Sequence, residues 1–427
     1  MKFEDYKDSK TFCVYPFIHL ATLTNGSIPP CCVGHSTNAM INESASIKDA
    51  WNSKELKDIR VKMLAGEKVT NCSQCYNDES GGVNSHRTQS NDFYYKTYKE
   101  DVDLAMESVL EDGTMTIDPF TLDIRAGNTC NLKCVMCRPN ESSKWLPDAK
   151  RILAVTKSDE LKIDWNVKAS INTKDFTWVE REEFWDDFKE LVPGLKEIIF
   201  GGGEPFLSKS INNLIQYMVD TEHSKHIKIR FHTNGTNIPE SFWPLVEKFK
   251  EIEMIFSIDG FGDQNYYVRY PAEWDEVVKN LWLSDASNAK TMVLYSLHSL
   301  SMLNVVDFYR WRLEQPFKNV NNIPLVLGRV YNPTYLNPQG LPQTVKDAIL
   351  KKINDFVSEY KEKYDPWYFD SLLANAHWIM DFASTNHITL DEYIRNLDEV
   401  RGTSFETTYP ELYQLLKDYN YNWIIND

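Results

Sequence analysis

From about residue 119 to 330, short apolar runs alternate with longer amphipathic stretches. The runs Phe120–Ala126, Lys196–Gly201, His226–Thr233, Ile252–Ile258, Thr291–His298 and Ile323–Val330 are rich in β-branched and aromatic residues and read as strands. Between them, 212–220, 240–250, 274–283 and 304–314 carry helical spacing. Strand and helix in strict alternation predict parallel strands joined by right-handed helical crossovers, an α/β fold.

A second period lies inside the strands. Lys228, Arg230 and His232 alternate with Ile227, Ile229 and Phe231, and Leu122-Asp123-Ile124-Arg125 repeats the pattern. The face under the helices must be apolar, so the polar set is expected to point inward. A filled core would be apolar as well; the interior is therefore predicted to be a polar cavity. The alternative is an edge strand turning one or two of these residues to solvent. Outside the alternating region, the first hundred residues hold five of the eight cysteines, and 91–110 reads as a helical connector. Pro333, Pro338 and Pro342 mark a turn-rich crossing, followed by an amphipathic helix over 344–360. The expected division is 1–90, 91–115, 116–330 and 331–427.

Composition narrows the function classes. The 427 residues are 42% hydrophobic, enough for a packed core. A net charge of −16 disfavours a nucleic-acid partner, whose phosphates need basic surface. The N-terminus has no apolar signal-like region, and no apolar run approaches the ~18 residues of a membrane span. Eight cysteines without a secretion signal point to metal or redox use in a reducing cytoplasm.

The chemistry begins at Cys130-Asn-Leu-Lys-Cys134-Val-Met-Cys137, a C-x3-C-x2-C loop directly after the first predicted strand of the core. A loop this short wraps three thiolates around one corner of a cubane cluster and supplies no fourth, leaving one iron open. Electron-transfer clusters take four cysteines; an open coordination position marks a catalytic metal. A zinc knuckle is the rival. The spacing resembles that of the radical S-adenosylmethionine (radical SAM) enzymes, which implies a partial (β/α)6 barrel. It also implies a 4Fe–4S cluster on Cys130, Cys134 and Cys137 that binds SAM through its free iron.

Three further segments match that family in order. Phe200-Gly201-Gly202-Gly203-Glu204-Pro205 resembles its GGE motif, implying that Gly202, Gly203 and Glu204 hold the SAM amino group. No Gly-Lys-Ser/Thr follows, which disfavours a phosphate loop. Thr233-Asn234-Gly235 resembles its ribose-contacting segment. Ser257-Ile258-Asp259-Gly260, with Arg269 and Trp274 beyond, resembles the branch carrying SPASM or twitch domains. That resemblance implies a SAM-binding segment containing Asp259, in which Ser257 and Arg269 hold the SAM carboxylate. An arginine fork suits a carboxylate.

The N-terminal cysteines form the pattern C-x12-G-x4-C…C-x2-C through Cys13, Gly26, Cys31, Cys72 and Cys75. It resembles the twitch domain, a short SPASM, and implies a second 4Fe–4S cluster on Cys13, Cys31, Cys72 and Cys75. A four-cysteine zinc site has the same ligand count, and adjacent Cys32 could replace Cys31. In better-known members the auxiliary domain follows the core; here it precedes it. The resemblance covers roughly 11–82 and 119–305; residues 331–427 match none of these patterns.

The resemblance implies an oxidoreductase-type enzyme that cleaves SAM to a 5′-deoxyadenosyl radical and abstracts a substrate hydrogen, for oxidative modification of a peptide or protein side chain. The electron would come from a donor such as flavodoxin or ferredoxin. The alternatives are dehydrogenation or rearrangement of a small anionic metabolite, and a non-catalytic two-cluster electron carrier. The inward-facing set Arg125, Arg230, His232 and Arg329 is the expected substrate contact, and a cluster of cations suggests a negatively charged group on the substrate.

Overall fold

All six expected strands form, within a residue or three of the expected ends, and a seventh precedes them. The structure is a computed structural model describing residues 2–418 apart from 81, 83 and 382–386. It divides into two compact units: Met1–Thr129 with Asn172–Phe231 and Pro244–Ile252, and Cys130–Ile171 with His232–Trp243 and Glu253–Asp427.

The first unit carries β1 (His19–Thr22), β2 (Thr121–Arg125), β3 (Glu197–Gly201) and the start of β4 (Lys228–Thr233). Neighbours pair parallel and in chain order: His19 faces Thr121, Leu122 faces Ile198, and Ile199 faces Arg230. The unexpected β1 comes from the cysteine-rich segment. In β4, Ile229 and Phe231 are buried while Lys228, Arg230 and His232 are half-buried on the other face, as the period of two requires. The apolar side meets two helices. Glu182–Leu191 buries Phe184, Trp185, Phe188 and Leu191, and Lys209–Asp220 buries Ile211, Leu214, Ile215 and Met218. Phe188, Phe200, Phe231 and Phe206 stack in succession at 6.5, 5.5 and 4.9 Å. Each such ring contributes roughly 1.5–3 kcal/mol by burial. At the start of β3, buried Glu197 accepts from the hydroxyls of Tyr94 and Tyr98, which tie the helical connector to the sheet.

The second unit carries β5 (Glu251–Ser257, from Glu253 onward), β6 (Lys290–Leu297) and β7 (Val326–Arg329), again parallel: Ser257 faces Leu294 and Tyr295 faces Leu327. Helices Trp274–Ala286 and Val305–Glu314 cross between them. The stretch expected as a helix over 240–250 is instead a 3-10 helix, Glu240–Lys248, with Pro244 inside. Proline has no amide hydrogen and clashes with the preceding α turn. Beyond β7 the chain is helical: Gln343–Tyr360, Asp370–Trp378, His387–Arg401 and Pro410–Asp418. The first of these buries Val345, Ile349, Ile353, Phe356 and Tyr360, the expected amphipathic face. Among the described residues no helix is long and apolar enough to cross a membrane.

Candidate functional site

The C-x3-C-x2-C loop leaves the carboxyl end of β2, where parallel folds place their chemistry. Cys130, Cys134 and Cys137 pack with Leu132, Met136 and Ala272. The loop runs along a neighbouring segment: the amides of Lys133 and Val135 donate to Tyr270 O at 2.6 Å and Val268 O at 2.8 Å. Side-chain nitrogens from outside the loop reach two of its sulfurs. Asn234 Nδ2 stands 3.9 Å from Cys130 Sγ, and Arg269 Nη1 stands 3.9 Å from Cys134 Sγ. Cys134 is held below its ordinary value, first by a hydrogen bond from Cys137 and then by Arg269; the same bond and burial push Cys137 up.

Arg269 is almost wholly buried. Its Nη2 meets Asp259 Oδ2 at 2.7 Å, while Asp259 Oδ1 accepts from the Ser296 amide at 2.6 Å. Burial lifts the Asp259 carboxyl, countered by the guanidinium. Asp259 therefore aims Arg269, and Nε of Arg269 has no hydrogen-bond partner among the described residues. Ser257 ends β5, half-buried. Asn234 Oδ1 accepts from the amide and hydroxyl of Thr236, and its Nδ2 also donates to Asn131 Oδ1 at 2.9 Å. Buried Thr233 accepts from the Gly235 amide. This turn sits beside Cys130 through Asn131 and Asn234.

The glycine run belongs to the first unit and packs on the residues just ahead of Cys130. Gly203 N donates to Gly127 O at 3.0 Å and Glu204 N to Thr129 O at 2.8 Å. A Cβ on Gly203 would stand 2.1 Å from Thr129 O. Gly202 has φ +106, and its Cβ would meet Gly127 O at 2.9 Å. These glycines permit a close backbone approach. Buried Glu204 accepts from the Phe206 amide.

Four of the five N-terminal cysteines (Cys13, Cys31, Cys72 and Cys75) line one small cavity with His86 and Arg87. All four thiols are buried, and burial pushes each of them up, Cys72 to about 12. Arg87 works against this at Cys13, Cys72 and Cys75, and is held by Glu79 through bonds of 2.9 and 2.6 Å. A single tetrahedral zinc needs its sulfurs ~2.3 Å from one centre. Among the described residues no three His, Cys, Asp or Glu side chains are grouped for one ion. Four thiols around a shared cavity are the donor set of a four-cysteine zinc site and of a 4Fe–4S cluster alike. Cys32 does not line it; its Sγ lies 3.3 Å from His86 Nε2 and feels the charges of Asp123, Arg125 and Arg230.

The expected substrate cations are answered unequally. Arg125 and Arg230 both act on buried Asp123, and Arg125 Nη2 donates to Cys32 O. Lys228 pairs with Glu251 at 2.8 Å. Arg329 is exposed on β7, where it donates to Asn375 Oδ1 at 2.7 Å and lies over the Trp378 ring. His232 is half-buried on β4. Residues that no motif indicated also meet the cysteine loop: Thr236 at Asn131, and Ser142, Trp145, Tyr393 and Arg401, the last two more than 250 positions away.

Residues 124–293 match the Radical SAM superfamily, and residues 13–76 match SPASM, an iron-sulfur cluster-binding domain. Among solved structures the chain is similar to native anSMEcpe with bound AdoMet, at 18% identity and TM-score 0.35 over 56% of this chain and 60% of that one. It is also similar to Streptococcus suis SuiB, at 17% identity and TM-score 0.35 over 73% and 63%. A structure of SuiB bound to precursor peptide SuiA matches at 16% and TM-score 0.34 over 71% and 62%. The chain thus spans less than two thirds of these proteins' length. No curated protein matches. The two matched families imply 4Fe–4S clusters, on an α/β fold with a cysteine-rich N-terminal segment, a parallel-stranded core and a helical C-terminal extension. The chain matches the radical SAM superfamily over its strand-rich core, with a SPASM-type iron–sulfur match ahead of it.

Proposed function

We propose that Cys130, Cys134 and Cys137 hold the SAM-binding cluster and that the protein oxidatively modifies a peptide or protein side chain. The observation that carries the first part is three thiols on one loop with nitrogens of Asn234 and Arg269 at two of the sulfurs. When bound and reduced, the cluster supplies the electron that cleaves SAM, giving the radical that takes a substrate hydrogen. The chain's own residues bind and orient. Gly202 and Gly203 bring backbone close at the end of β3, Glu204 and the Thr233–Asn234 turn offer polar contacts, and Ser257 and Arg269 receive the SAM carboxylate. Asp259 acts through Arg269. In this division residues 1–90 are the auxiliary domain, 91–115 the connector, 116–330 the core and 331–427 the extension, working in a reducing cytoplasm with flavodoxin or ferredoxin as donor.

Cys13, Cys31, Cys72 and Cys75 would hold the auxiliary cluster. Ligated by four thiolates, such a cluster would have no iron free for substrate and would serve as an electron acceptor or a structural element. The small anionic metabolite is the weaker reading, because Asp123 lies beside Arg125 and Arg230, two of the expected cations. Mass spectrometry of peptides incubated anaerobically with enzyme, SAM and reductant tests the peptide reading; a loss of two hydrogens or a new crosslink supports it. Modification of metabolites alone sinks it.

The two neighbouring cysteines should separate cleanly. Cys31→Ala is expected to lose about four irons per chain, whereas Cys32→Ala keeps them; equal iron in both variants would exclude Cys31 as a ligand. Arg269→Lys keeps the charge but not the fork. Loss of a charge-assisted hydrogen bond costs roughly 1.5–3 kcal/mol, so SAM affinity should fall about 10- to 100-fold in an anaerobic titration. Unchanged affinity would remove Arg269 from the carboxylate site.

A further inference from the structure

The cysteine loop is gripped from outside at four consecutive carbonyls. Leu132 O accepts from Ser142 Oγ at 2.5 Å, Lys133 O from Arg401 Nη2 at 2.7 Å, Cys134 O from Trp145 Nε1 at 2.9 Å, and Val135 O from Tyr393 Oη at 2.8 Å. Two of these donors, Tyr393 and Arg401, sit on the C-terminal helix His387–Arg401. That helix is packed hard against the site. Tyr393 stacks on Trp165 at 6.0 Å, and Trp165 meets Trp145 at 5.6 Å. Arg401 lies over the rings of Trp145 and Tyr270 at 4.5 and 5.1 Å.

The charges behind the loop do not cancel. The Arg401 side chain is 1% exposed, and its Nε meets Asp148 Oδ2 at 3.3 Å. The same carboxylate oxygen takes Lys133 Nζ at 2.8 Å. One buried carboxylate thus faces two cations. On the other side of the loop, Arg269 and Asp259 balance one another. Arg401 Nη1 is buried with no hydrogen-bond partner among the described residues. A buried cation that shares its one carboxylate with a second cation favours a further anion nearby.

We propose that the helix His387–Arg401 is a built-in part of the SAM-cluster site, with Arg401 as its positioning residue: it fixes the loop carbonyls and supplies the positive charge that balances the thiolate-held cluster. This rests on the assignment of that cluster to Cys130, Cys134 and Cys137. A 4Fe–4S centre held by three thiolates is anionic and gains one further negative charge on reduction. A nearby buried cation therefore favours the reduced form and raises the potential. The C-terminal extension, which carries no family motif, would in this way set how readily SAM is cleaved.

The test is a redox titration of the reconstituted full chain followed by electron paramagnetic resonance. The SAM-binding cluster is identified by the change in its signal when SAM is added. Arg401→Gln should keep the signal but shift its one-electron equilibrium about tenfold toward the oxidised form, about 59 mV. Arg401→Lys, which keeps the charge, should stay within a third of that shift. Tyr393→Phe removes a grip without a charge and should lower iron retention at unchanged potential. If Arg401→Gln cannot be loaded, the comparison of Arg401→Lys with Tyr393→Phe still decides: Arg401→Lys loading less well than Tyr393→Phe overturns the charge role, and the reverse order supports it. An unshifted potential in loaded Arg401→Gln overturns the proposal. Absence of any SAM-responsive signal in the wild-type chain would instead overturn the cluster assignment beneath it.

Discussion

Replacing Cys130, Cys134 and Cys137 together with alanine should abolish SAM cleavage and remove about four of about eight irons per chain. The three thiols are the loop's only cysteines, and they pack with Leu132, Met136 and Ala272. The auxiliary cysteines line a separate cavity within the first unit, so their four irons should survive. Iron analysis of anaerobically purified protein reads both halves at once. Loss of all iron would mean that the two sites do not load independently. About four irons plus one zinc in the unmodified chain would move the N-terminal site to zinc.

Gly203→Ala should be the most damaging single methyl in the core. Its Cβ would stand 2.1 Å from Thr129 O and 2.6 Å from Thr129 C, both backbone atoms. The hydrogen bonds Gly203 N to Gly127 O and Glu204 N to Thr129 O hold the two segments at that distance. No rotamer change can relieve the overlap, so either β3 or the loop ahead of Cys130 must move. Overpacking of this kind costs about 3 kcal/mol or more, and displacement of residue 129 should also lower cluster loading. Gly201→Ala is the internal control: its Cβ would meet nothing within 4 Å. Urea denaturation of both variants, with iron content, measures the contrast. Equal midpoints would show that the close approach is not rigid.

The strands were legible because their periods are strong. The alternation around Lys228, Arg230 and His232 survives intact in β4. β1 escaped notice for the opposite reason. It is four residues long, all four are buried, and it follows an apolar helix turn at Tyr15–Ile18, so no alternation marks it. Only its register with β2, about a hundred positions later, makes it a strand. Spacing could not choose between Cys31 and Cys32, because the choice depends on which of two neighbours turns toward the cavity. The positions of Arg125 and Arg329 read alike from sequence, yet one sits beside Asp123 and the other lies exposed at the end of β7 against Trp378. Tyr393 and Arg401 left no trace at all: a donor to a loop carbonyl needs no motif, only a helix that happens to pack there.

The central claim is that this chain cleaves SAM reductively at the Cys130–Cys137 loop. The most direct measurement is anaerobic incubation of the reconstituted protein with SAM and dithionite, with 5′-deoxyadenosine quantified by mass spectrometry. The expected result is 5′-deoxyadenosine formed only with reductant, and none from the triple alanine variant. A fully iron-loaded wild-type chain that binds SAM yet forms no 5′-deoxyadenosine above the variant would contradict the account.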